Sequence, residues 1–111
     1  MTLLELQVRC MQQAKDLGWT DNPIPIPEQI ALIHSEASEA LEAYRNKEPL
    51  SWERRDTNDQ LKPEGLASEY ADILIRIGHY AHALGIDLTY EVERKLKYNM
   101  TRGYRHGGKL A

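Results

Sequence analysis

Residues 27–47 carry two apolar stripes on one helical period, and a helix built that way has to pack on two sides. Ile30, Ile33, Ala37, Leu41 and Tyr44 form the main stripe, while Leu32, Glu36, Glu39 and Ala43 share a second face. The second face mixes carboxylates with apolar residues, and a carboxylate buried there needs a partner. Pro27 suits the first helical position, with Glu28 in the first turn where the helix dipole favours negative charge. A chain holding such a helix is a bundle, an oligomer or both.

The rest of the chain supplies the bundle. Residues 3–17 place Leu3, Leu4, Leu6, Val8, Met11, Ala14 and Leu17 at near-helical spacing, and Gly18 ends that run. Pro23, Pro25 and Pro27, on alternate positions, forbid a helix before residue 27 and favour an extended connector. Residues 63–84 form a third helix with Leu66, Tyr70, Ile73, Leu74, Ile77, Ala81 and Leu84 as its core stripe. Gly85 caps it, and Asp87 caps a fourth helix over 88–101 whose Val92 and Leu96 face inward. Between the second and third helices, residues 48–61 lack apolar periodicity and read as an exposed charged loop around Trp52, with at most a short helical turn. The expectation is an all-α, four-helix bundle-like single domain spanning 1–111, in which residues 103–111 form a basic, glycine-rich tail. Its apolar positions exceed what a lone bundle of this size buries, so self-association is expected.

A formal net charge of -3 argues against general electrostatic binding of nucleic acid. Cys10 is the sole cysteine, which excludes a disulfide framework and a sulfur-based metal site. The absence of a membrane-length apolar run or signal-peptide pattern favours a reducing cytoplasm.

The chemistry concentrates in two acid pairs. Glu36 and Glu39, then Glu69 and Asp72, each sit three positions apart on helices that can lie side by side. A single such pair is an ordinary solvated helix face. Two pairs on separate helices, followed by basic residues, suit a hard divalent cation such as magnesium, with manganese as substitute, held by Glu36, Glu39, Glu69 and Asp72. Arg76 reads as an intrahelical salt-bridge partner of Asp72, and His79 as an ordinary helix histidine. Lys95, Asn99 and Arg102 share one face of the fourth helix, and Arg105 and Lys109 in the tail could wrap a phosphate chain. Trp19 reads as a plug under its loop or a wall for base stacking, and Trp52 as a loop anchor or a ligand contact.

The segments Ile33-His34-Ser35-Glu36, Glu39 to Arg45, Lys62-Pro63-Glu64-Gly65, Glu69-Tyr70-Ala71-Asp72, Ala83 to Leu88, and Tyr98-Asn99 through Lys109 resemble the MazG-like, all-α NTP pyrophosphohydrolases of the short bacterial and phage type. The resemblance covers about residues 27–111, and the Trp52 loop makes the gap between the acid pairs long for that motif. It implies magnesium-dependent hydrolysis of a nucleoside or deoxynucleoside triphosphate to the monophosphate and pyrophosphate, by a dimer or tetramer. It also implies metal binding by Glu36, Glu39, Glu69 and Asp72, and phosphate contacts from Lys95 and Asn99. Water would attack the α-phosphorus, held or deprotonated by Glu36 or Glu39, with Lys95, Arg102, Arg105 or Lys109 stabilising the pyrophosphate. Trp19, Trp52 or a neighbouring subunit would wall the base pocket. The alternatives are a dUTPase-like or phosphoribosyl-ATP pyrophosphohydrolase on the same scaffold, a non-catalytic helical oligomerisation module, and a nucleic-acid binder resting only on the basic tail.

Overall fold

In the computed structural model, which describes residues 1–104, four helices and one hairpin follow in order: α1 (Leu3–Asp16), α2 (Ile26–Arg45), β1 (Trp52–Arg55), β2 (Leu61–Glu64), α3 (Leu66–Ala83) and α4 (Leu88–Thr101). Local chemistry sets the ends. Thr2 opens α1 by accepting a hydrogen bond from the Glu5 amide at 3.1 Å, and Asp87 opens α4 by accepting from the Tyr90 amide at 3.2 Å. Pro25, with extended backbone, caps α2, so the helix begins one residue earlier than expected and takes Pro27 into its first turn.

Residues 48–61 depart from the expected loop. Trp52–Arg55 and Leu61–Glu64 pair antiparallel, with Trp52 opposite Glu64 and Arg55 opposite Leu61. The Asp56 carboxylate closes the connecting turn by accepting from the amides of Asn58 and Gln60 at 2.8 and 2.9 Å. Glu64 accepts from Arg54 across the hairpin and from Lys62 two residues before it on the same strand. The architecture is therefore mostly helical with a small two-stranded sheet. Gly65 joins the hairpin to α3 at φ +98°, and a Cβ there would stand 2.7 Å from the carbonyl oxygens of Pro49 and Leu50. Only glycine fits both the angle and the space.

α3 is the central helix, packed by α1 and by α2. Gly78 allows the close approach of α1, since an added Cβ would lie 3.0 Å from the Cys10 sulfur. Gln7, buried on α1, donates to the Ile86 carbonyl at 2.7 Å and accepts from the Leu88 amide at 3.1 Å. That pair of bonds pins the turn between α3 and α4. Beyond this tie α4 packs against α1 and buries none of its own residues. Val92 and Leu96, expected inside, are both exposed.

The two faces of α2 also exchange roles. The face that meets α3 is the second one, with Gln29, Glu36, Ala40 and Ala43 buried, whereas Ile30, Leu41 and Tyr44 of the main stripe stand exposed. Among the described residues the buried apolar set is Cys10, Ala14, Ala40, Ala43, Tyr80 and Ala81, dominated by small side chains. Small residues let α2 and α3 approach closely, which brings their acids together.

Candidate metal centre

Glu36 on α2 and Glu69 and Asp72 on α3 each offer a carboxylate oxygen, and the three oxygens lie within 4.8 Å of one another. Glu36 is only 7% exposed. One of its oxygens accepts from the Arg76 Nε at 2.8 Å, and Arg76 Nη1 donates to the Tyr80 hydroxyl at 3.1 Å. The other oxygen, Glu36 Oε2, is buried with no hydrogen-bond partner, as is Glu69 Oε2. Two orphaned carboxylate oxygens in one cluster form a donor set that a hard cation satisfies. Glu39 is exposed and stands outside the three-residue cluster, although it lies near enough for its charge to act on Glu69.

The cluster is electrostatically unsatisfied. Burial, the proximity and charge of Glu39, and the charges of Asp72 and Glu36 push the Glu69 carboxyl up to about 7. Burial and the Glu36 charge raise Asp72 above its usual range, against opposing pulls from Arg76 and Lys62. Burial would lower the Arg76 guanidinium, but its bonds to Glu36 and Tyr80 outweigh that and hold it charged. Burial and the crowding of carboxylates raise the affinity of the Glu69 and Asp72 carboxyls for a proton, and a divalent ion would relieve the same repulsion.

Glu36 and Asp72 also form part of the wall of a cavity of about 860 Å³ between α1, the α1–α2 connector, α2 and α3. Trp19, Lys15, Gln29 and His79 line it further along. The His79 imidazole is held below its ordinary value by burial and then by the Arg76 charge, so it presents a neutral ring. Gln29 donates to the Ile24 carbonyl at 3.3 Å, which fixes its amide at the connector.

The other residues expected at the site divide. Trp19 lines the cavity, whereas Trp52 lies outside its lining and donates its indole N–H to Glu48 Oε1 at 2.9 Å, anchoring the hairpin. Lys95, Asn99 and Arg102 are exposed on or beside α4, outside the cavity lining, and the Lys95 ammonium lies 5.4 Å from the Tyr98 ring centre. Arg105 and Lys109 lie outside the described residues. Lys15, Gln29 and the cross-helix role of Arg76 were not anticipated. Gln29 falls seven positions before Glu36 and so on the same line of α2, a signal open to periodicity. Nothing local to α1 singles out Lys15.

Comparison of the chain with protein-family models, curated proteins and solved structures finds no match. Among the described residues no helix is long and apolar enough to cross a membrane.

Proposed function

We propose that this chain is a magnesium-dependent pyrophosphohydrolase of nucleoside or deoxynucleoside triphosphates, the activity that the MazG-like resemblance implies. The supporting observation is the pair of buried, unpartnered oxygens on Glu36 and Glu69, beside Asp72, at a cavity of about 860 Å³. That volume lies in the range of small-molecule sites. Glu36, Glu69 and Asp72 would hold magnesium, or manganese in its place, and Glu39 would flank it. The bound cation would neutralise phosphate oxygens and lower the pKa of an attacking water.

The chain's own groups do the remaining work. Arg76 holds one oxygen of Glu36 and leaves the other free for the cation. Glu36 or Glu39, the latter at the rim near Glu69, would orient the attacking water and take its proton. Lys15 supplies a cation at the cavity wall and Trp19 a flat face for a base. Lys95, Asn99 and Arg102 remain phosphate contacts by the resemblance alone. The same reading includes a homo-oligomer acting in a reducing cytoplasm, where Cys10 stays a thiol.

A pyrophosphate-release assay over canonical and modified NTPs and dNTPs, with magnesium or with chelator, tests this function. Turnover should need the metal and vanish in Asp72→Asn and Glu69→Gln variants of unchanged helicity. Full turnover in either variant overturns the assignment. The exposed apolar stripe of α2 favours a second reading, a non-catalytic oligomerisation module, for which no nucleotide would be hydrolysed.

A further inference from the structure

The hairpin holds two cations together near the acids, and the proposed hydrolysis so far uses neither. Arg54 pairs with Lys62 and Trp52 with Glu64, so these four side chains share one face of the hairpin, while Glu53, Arg55, Leu61 and Pro63 take the other. Like charges directly opposite each other destabilise a strand pair. Here one carboxylate oxygen holds both, since Glu64 Oε1 lies 2.9 Å from Arg54 Nε and 3.1 Å from Lys62 Nζ. Glu64 balances only one of the two charges. Asp56, which also feels both, has its carboxylate engaged by the amides of Asn58 and Gln60. The Arg54 and Lys62 side chains stay 48% and 51% exposed, open to an anion.

The hairpin is fastened to the helix that carries two of the acids. Ala67 donates its amide to the Leu50 carbonyl at 2.9 Å, and Ser68 its hydroxyl to the Pro63 carbonyl at 3.2 Å. Gly65 lies seven residues before Asp72, about 10 Å along the axis of α3, and a lysine stem is long and flexible. The Lys62 charge reaches Asp72, where it opposes the upward push of burial and of Glu36. The cavity leaves the acids in the other direction, because its α3 lining runs from Asp72 through Arg76 and His79 to Ala83. The acids therefore stand between the cavity and the pair of cations. α3 also starts without a side-chain cap, so the positive end of its dipole lies on the cation side.

We infer that Arg54 and Lys62 bind the β- and γ-phosphates of the triphosphate, whose α-phosphate lies at Glu36, Glu69 and Asp72 and whose base enters the cavity beside Trp19. The inference rests on the hydrolase reading for the nucleotide and adds a site that reading lacks, a polyphosphate seat on the hairpin. A guanidinium and an ammonium on one side of a phosphate chain supply charge-assisted donors in the number such a tail accepts. The pair selects for the length of the phosphate chain, because a monophosphate held at the acids ends short of the hairpin. Pyrophosphate is then the product that the cations retain.

Titration calorimetry of the full chain with inorganic pyrophosphate and magnesium reads this site without turnover. Lys62→Gln and Arg54→Gln should each weaken binding about 5–10-fold, the loss of one charge-assisted contact. Glu64→Gln, which releases both cations from their carboxylate, should tighten it; damage to the hairpin alone would weaken it in all three variants. Arg55→Gln, on the opposite face and paired with Asp59, should leave it unchanged. Where the Arg54 and Lys62 variants do not fold, Glu64→Gln decides the case. Pyrophosphate binding that depends on both cations, in a protein that turns over no triphosphate, sinks the hydrolase reading and leaves the cation site standing. No pyrophosphate binding by the parent, unchanged affinity in the folded Lys62→Gln and Arg54→Gln variants, or weaker affinity in Glu64→Gln each overturns the inference.

Discussion

Replacing Arg76 with methionine removes the cation that faces the most buried acid of the cluster. The Glu36 and Arg76 side chains are 9% and 32% exposed, and their bond is 2.8 Å. Removing one partner of a buried pair costs about 3–5 kcal/mol, because the other charge is left uncompensated. Arg76 retains some contact with water, so the expected loss falls below that range, about 2–3 kcal/mol at pH 7 without metal. Part of it comes from Tyr80, whose hydroxyl loses its donor. Urea unfolding at fixed protein concentration measures the loss. Millimolar magnesium should recover much of it, since a cation at Glu36 replaces the missing charge. Combining Arg76→Met with Glu36→Gln should cost less than the sum of the single changes by about 2 kcal/mol. An Arg76→Met variant within about 0.5 kcal/mol of the parent would refute the claim that this bond holds Glu36 in place.

Gly65→Ala should destabilise by at least about 2–3 kcal/mol in the same assay, because φ +98° and the carbonyl oxygens 2.7 Å away both exclude a Cβ; a loss under about 0.5 kcal/mol would contradict this. Glu69 ionises near 7 when folded against an ordinary 4.5, so between those values the native chain holds a proton that the unfolded chain releases. Its contribution to metal-free stability is full below about pH 4.5 and is lost as pH rises through 7. His79, kept neutral by burial, acts in the opposite sense over a neighbouring range, so thermal unfolding of the parent and of Glu69→Gln is compared from pH 5 to 8. The variant should lose less stability than the parent as pH rises, and parallel curves would contradict the shift. Trp19→Ala should raise KM for the nucleotide by roughly 5–150-fold, the range of a lost base–aromatic stack, whereas Trp52→Ala should leave KM unchanged.

Helix positions were open to the sequence because their signals are local. Capping by Asp87 and the apolar spacing of α1 and α3 need no knowledge of the rest of the chain. The hairpin was hidden because both strands face water and show no alternation, and Pro63 within β2 argues against a strand except at an open edge. Glu36, Glu69 and Asp72 were legible as a cluster from their spacing. Glu39 follows Glu36 by three residues and so turns about 60° around the helix, which takes it to the rim. Arg76 has Asp72 four residues before it, and local pairing points there. Its bond to Glu36 depends on the rotation of α2 against α3, which no local pattern encodes. The reversal of the α2 faces has a related cause. An apolar stripe announces burial, but not whether the covering surface comes from the same chain.

Metal-dependent pyrophosphate release measures the central claim most directly. The assay presents nucleoside and deoxynucleoside triphosphates to the protein with magnesium, with manganese and with chelator, beside Asp72→Asn under the same conditions. Release of one pyrophosphate per monophosphate formed, only with a divalent ion and absent in Asp72→Asn, is the predicted result. Equal release with chelator, or none from any triphosphate by a protein shown calorimetrically to bind magnesium, would contradict it.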